Sequence, residues 1–176
     1  VGGFYLVANS MMAGGEGTAY FLDVHEVKAR LAQVEGRQAR VRGTVIIGTG
    51  FPVAGTFETD GPVGAMALYR ALAALGAQPV IACGAPLSHA LTEEYDVLEL
   101  RAGDLASAQA EARRHLQALQ PQAIIAIESP GLTADGRYYN MRGEDITARC
   151  RFFDPFLTLA SCPTIAIGDG GNEIGM

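Results

Sequence analysis

The chain has 176 residues, 49% of them hydrophobic and 18% charged, with a formal net charge of -6. That apolar content excludes disorder, and the acidic balance lacks the basic footprint that phosphate backbones require, so nucleic acid is not an expected partner. Of the 13 basic residues only Lys28 is a lysine, in the helical pattern DVHEVKARL far from any glycine-rich loop, which removes pyridoxal phosphate Schiff-base chemistry and Walker-type phosphate binding from this chain.

In chain order, FYLVA (residues 4–8) reads as a first strand and Met11–Thr18 as a glycine-rich loop. Asp23, with Glu26 at the third helical position, then caps a helix whose Val24, Val27, Leu31 and Val34 share one face before Gly36 stops it. A strand over roughly residues 42–48 precedes a long loop, and Pro62 is placed to open a helix to about Leu75 that is apolar on most faces and therefore expected to be buried. Gly76 ends it and PVIAC is the next strand. Residues 86–95 read as a helix and Val97 to Leu100 as a short strand. Asp104 caps a helix with Leu105, Ala108, Ala112, Leu116 and Leu119 on one stripe. Pro121 leads into the strand AIIAI, residues 129–151 form a polar excursion, and a short helix near Phe152 to Ala160 precedes the last strand, TIAI. Short apolar runs alternating with helical patterns predict an α/β fold: an open, mostly parallel sheet with helices on both faces, Rossmann-like and three-layered. No repeat or linker divides it, so one domain is expected over 1–176, and the chain reads as part of a longer protein.

Cys83, Cys150 and Cys162 form no C-x-x-C pair and no zinc pattern with His25, His89 or His115, which suits reduced thiols and a cytoplasmic location. The histidines read as surface or edge residues beside apolar stripes. No apolar run reaches the ~18 residues a membrane span needs, and the start lacks a basic region and a clear cleavage site.

Three of the predicted strands, VIIG, AIIAI and TIAIG, empty into polar, glycine- or proline-rich loops, and open parallel sheets bind ligands at the carboxyl ends of their strands. Those loops carry Glu58, Thr59, Asp60 and Gly61; Glu128 and Ser129; and Asp169, Gly170, Asn172 and Glu173. Five carboxylates would then converge on one edge. A pair of them at about 4 Å repels by roughly 4 kcal/mol at an effective dielectric of 20, so a cation, a shared proton or an arginine must offset the repulsion. Arg142, in YYNMRGED, is the nearest arginine by loop assignment. Bland readings stand beside these: Asp60 as a helix cap, Glu58 as a solvated charge, Asp169 as turn chemistry, and Asn140 with Arg142 as loop residues. A dinucleotide fingerprint fails twice, because Val53 and Glu173 occupy the third glycine positions of GTGFPVAG and GDGGNEIG; no NAD is expected. Both GDGG and DGPVG could still offer backbone N–H groups to an anion.

TGF followed by ETDGPVGA, then IESPG with YYNMRGEDI, then IGDGGNEIGM, together resemble the D-glutamate cyclase family over about Thr44 to Met176. Residues 1–40 align with no motif of that pattern, and the family continues past GNEIGM. The resemblance implies a lyase that closes D-glutamate to 5-oxo-D-proline and water, assisted by manganese or a similar divalent ion. It makes Glu58, Asp60 and Glu128 candidates for acid and base work and Asp169 and Glu173 candidate metal ligands. Thr59, Gly61, Ser129, Asn140, Arg142, Gly170 and Asn172 are candidate substrate contacts, Arg142 for the α-carboxylate. D-Glutamate would be the small-molecule partner, with homo-oligomerisation left open and the mitochondrial matrix as the alternative compartment in an animal. Two alternatives remain beside it: a metal-dependent enzyme acting on a phosphorylated or nucleotide ligand, and a non-catalytic small-molecule binding domain.

Overall fold

The computed structural model describes residues 42–176. The expected strand at 4–8, the loop Met11–Thr18 and the helix capped by Asp23, with His25 and Lys28, lie outside the described residues.

Strand β1 (Thr44–Thr49) leads into a small hairpin, β2 (Pro52–Val53) and β3 (Thr56–Phe57), and then into helix α1 (Asp60–Ala74). There follow β4 (Gln78–Cys83), the short α2 (Leu87–Leu91), β5 (Val97–Glu99), α3 (Leu105–Leu119), β6 (Ala123–Ile127), a 3-10 turn at Thr147–Arg149, α4 (Asp154–Thr158) and β7 (Thr164–Ile167). Five of these strands form one sheet in the order β5-β4-β1-β6-β7, and every pairing in it is parallel. The winding runs outward from β1 through β4 to β5, returns to β6 on the other side of β1, and ends at β7. This is the expected α/β architecture, doubly wound.

The strands are apolar on both faces because both are covered. On β1 and β6, Val45, Ile47, Ile125 and Ile127 pack with Ala65, Leu68 and Leu72 of α1. Their alternates Ile46, Ile124 and Ala126 meet Ala112 and Leu116 of α3 and Phe156 of α4. Gly48 belongs to the second face, and a side chain there would lie 2.0 Å from the Phe153 ring. Only a glycine lets that ring, stacked on Phe156 at 5.2 Å, close down on β1.

Three expectations need correction. Helix α1 begins at Asp60, with Thr59 as its N-cap, so Pro62 sits two residues inside it. Nor is α1 buried: only Gly61, Pro62 and Ala65 are, while Val63 is 57% exposed. Its small apolar residues gave a stripe wider than the sheet can cover. The helix expected at 86–95 shrinks to α2, where the Thr92 hydroxyl donates to Ser88 O at 2.6 Å and a turn follows in which the Glu94 and Tyr95 amides both donate to Leu91 O. Helix α3 instead follows its sequence signal closely, with Asp104 accepting the Ser107 amide at 2.9 Å.

The excursion after β6 has an apolar anchor of its own. Tyr138, fully buried, packs with Phe51, Ile146, Cys150 and Phe152, and its hydroxyl donates to the Asp154 carboxylate. Burial raises the Asp154 carboxyl above its ordinary range against that hydrogen bond and the Leu132 amide, which lower it. All three cysteines are free, and burial pushes the Cys83 and Cys150 thiols up to about 12. Among the described residues no helix is long and apolar enough to cross a membrane.

Candidate functional site

The winding reverses between β1 and β6, and a crevice opens outside the carboxyl ends of strands at such a point. The acidic loops meet there. Glu128 follows β6 at φ 47, a left-handed conformation costing a non-glycine residue about 1–3 kcal/mol. Its amide is held by Ile167 O at 2.9 Å, and Ile174 N donates to Ser129 O at 2.9 Å, so the loops after β6 and β7 are stitched together.

Glu173 lies in that seam, 7% exposed, bridged to Pro130. One of its oxygens accepts the amides of Gly170 at 3.0 Å and Asn172 at 3.2 Å. The GDGG turn therefore folds around this protein's own carboxylate, and those two amides are not free donors for a ligand. Gly168 makes the fit possible, because a side chain there would stand 2.8 Å from Glu173 Cβ.

Glu128, Asp169 and Glu173 each offer a carboxylate oxygen within 4.8 Å of the others. Glu58 and Asp60 reach the same field from the loop after β3. Burial raises Glu128 to about 7, and Asp169, Glu173, Asp60 and Glu58 push in the same direction. Glu58 is also raised, by burial first and then by Asp60, Glu173 and Asp169. The five acidic residues thus share one field, and without a cation a retained proton relieves it. As donors, three carboxylates are hard oxygen ligands, which suit magnesium, manganese or calcium better than a thiophilic metal.

The remaining candidates divide. Thr59 caps α1 by position, without a side-chain bond, while Asp60 accepts the neighbouring Gly61 amide at 2.9 Å. Gly61 is buried between Thr49 and Glu128. Ser129 is 3% exposed and its hydroxyl has no hydrogen-bond partner, as is also true of Thr49. Asn140 closes a turn: its Oδ1 accepts the amides of Arg142 and Glu144, and its Nδ2 donates to Glu144 at 2.6 Å. That turn occupies the Asn140 Oδ1 and one of its two amide N–H groups. Arg142 rides on it, exposed, with no ion pair among the described residues. Asn172 ties the excursion down by donating to Tyr139 O at 3.0 Å.

Beside the acidic group the crevice deepens into a cleft over the ends of β1 and β4, with a free space of about 40 Å³. Thr49, Ser129, Cys83 and Phe153 line it together with Arg149 and Arg151. Sequence reasoning missed both arginines. They sit 21 and 23 positions beyond Glu128, and the signal that could have found them was the aromatic pair Phe152 and Phe153, which brings the chain back to the sheet.

The family model described as "D-glutamate cyclase-like, C-terminal" matches residues 7–176, beginning well ahead of the motifs. Human "D-glutamate cyclase, mitochondrial" is 32% identical over 190 residues covering 93% of this chain, and the chain spans only 29% of that protein.

Proposed function

The chain belongs to the D-glutamate cyclase-like family, C-terminal type, and we propose that it carries the catalytic centre of a D-glutamate cyclase, a lyase closing D-glutamate to 5-oxo-D-proline and water. The observation that carries this reading is the group of five carboxylate-bearing residues at the winding reversal, with Glu128 raised to about 7. The substrate's amino group must lose a proton before it can attack its own γ-carboxyl carbon, and a base titrating near neutrality is matched to that task. Because nucleophile and electrophile share one molecule, holding it in a folded conformation supplies much of the rate.

In the forward direction a C–N bond forms at the γ-carboxyl carbon and a C–O bond breaks. Two protons leave the nitrogen: one passes to Glu128 or Asp60 as it attacks, and the second, released as the amide forms, restores the acid group. The departing oxygen leaves as water, taking one proton from Glu58, whose pKa is raised by burial and its acidic neighbours, and the other from the residue that deprotonated the nitrogen. Asp169 and Glu173 would hold a divalent cation such as manganese, leaving Glu128 beside it as the base. When bound, that ion supplies Lewis-acid polarisation of a carboxyl oxygen and neutralises local charge.

The test is formation of 5-oxoproline by the full-length protein from D-glutamate and from L-glutamate, with manganese and with a chelator. Product from D-glutamate, lost on chelation and reduced roughly 100-fold or more in Asp169→Asn, is expected. No product from D-glutamate under any metal condition overturns the reading.

A further inference from the structure

We propose that Arg149 and Arg151, together with the Ser129 hydroxyl, form the subsite for the substrate's α-carboxylate, in the cleft beside the acidic group; the inference rests on the cyclase reading above. The argument begins with charge. Glutamate brings two carboxylates and one ammonium, and a field of five acidic residues can accept the ammonium but repels the carboxylates. A second, positive pole is needed, and fixed guanidinium groups are suited to carboxylates through paired N–H donors.

The cleft beside the acidic group supplies that pole. Arg149 and Arg151 line it, and among the described residues neither has a carboxylate within ion-pair distance. Glu99 lies within electrostatic range of Arg151 but is already paired with Arg101 at 2.9 Å. One Arg151 nitrogen donates to Cys150 O at 2.9 Å, and its stem lies over Gly84, so the side chain is held in place while the rest of its fork stays available. A separate observation points to a ligand: Ser129, at 3% exposure, lines the same cleft with a hydroxyl that has no partner. A buried hydroxyl without a partner carries an uncompensated desolvation penalty, which a ligand oxygen would remove. Arg142, by contrast, sits in the turn whose Met141 sulfur packs near Gly170, on the acidic side.

The experiment compares D-glutamate with 4-aminobutyrate, which can close the same five-membered ring but lacks the α-carboxylate. In the full-length protein, Arg149→Met and Arg151→Gln should raise KM for D-glutamate roughly 10–100-fold with kcat changed less than about 3-fold. The KM or inhibition constant of 4-aminobutyrate should move less than about 2-fold, and Arg151→Lys should recover part of the D-glutamate loss. Equal shifts for both compounds, or a selective D-glutamate defect in Arg142→Met instead, overturn the subsite while leaving the cyclase reading intact. If the wild type makes no 5-oxoproline, the cyclase reading fails separately. The subsite is then decided by calorimetry: D-glutamate or 5-oxo-D-proline must bind wild type roughly 10-fold or more tighter than Arg149→Met. Equal binding, or none to wild type, removes it.

Discussion

At the β6–β7 end of the crevice, Glu128 and Glu173 are placed by backbone: a left-handed residue, two amides folded onto one carboxylate, and a glycine pressed against Glu173. At the β1–β4 end, Arg149 and Arg151 are placed by packing, through a fully buried Tyr138, the Phe152 and Phe153 rings, and Gly48 beneath one of them. The acidic end is therefore a local construction, rigid but intolerant of any added atom. The arginine end is a long-range one, whose side chains are carried in by a segment with its own small core. A defect in either should show first in the chemistry of its own pole.

The largest separation is expected from Gly168→Ala. Its new methyl group meets Glu173 Cβ at 2.8 Å, against backbone that cannot easily yield, and overpacking of this kind costs roughly 1–3 kcal/mol. Displacing a carboxylate by about 1 Å can cost roughly 100-fold in rate, so kcat and manganese binding should fall together while the KM ratio of D-glutamate to 4-aminobutyrate holds. A variant with intact metal binding and a changed ratio would show that the two ends are not independent.

Tyr138→Phe probes the other end. It removes the hydroxyl donated to the buried Asp154 carboxylate, and loss of a hydrogen bond to a buried charged group should lower stability by about 1–3 kcal/mol, read by denaturant unfolding. Burial has already raised the Asp154 pKa, so the variant should lose more stability as pH rises and that carboxyl ionises unaided. Manganese affinity should be nearly unchanged and KM for D-glutamate should rise; a fall in metal affinity instead would relocate the anchor.

The smallest effect is a pH signature of the acidic end. Glu128 is raised from 4.5 to about 7, so the folded protein keeps a proton that the unfolded chain releases between those values. Its contribution to stability is full below 4.5, declines as pH rises to about 7 and is level above. Glu128→Gln removes that decline. In chelator, the melting temperature of the variant relative to wild type should rise by a few degrees between about pH 5 and about pH 8. Added manganese should shrink the difference by stabilising only the wild type. A flat difference across that range would mean that Glu128 does not carry the shared proton.

The sheet was legible because each strand is a short run of β-branched residues with a turn after it, and helix α3 because its apolar stripe and Asp104 cap agree. The acidic loops were legible for the same reason: a residue that follows a parallel strand lies at the ligand edge wherever that strand stands in the sheet. Exposure of α1 was not, since alanine-rich apolar faces do not reveal how much of a sheet lies beneath them. Asn140 and Arg142 looked like a substrate-binding pair, yet most of the Asn140 amide is engaged in a turn through bonds that span at most four residues. Arg149 and Arg151 carried no motif of their own, only the aromatic pair Phe152 and Phe153 beside them.

Sequence alone, then, determined the strands, their parallel layering and the side chains at their ends, because these depend on local periodicity and on chain direction. Tertiary structure decided which loops face one another, which amides Glu173 consumes, and which arginines stand across the crevice. Those depend on the order of strands in the sheet and on how an excursion of more than twenty residues packs back over β1. Contacts between such distant segments are set by burial and shape, and no local spacing records them.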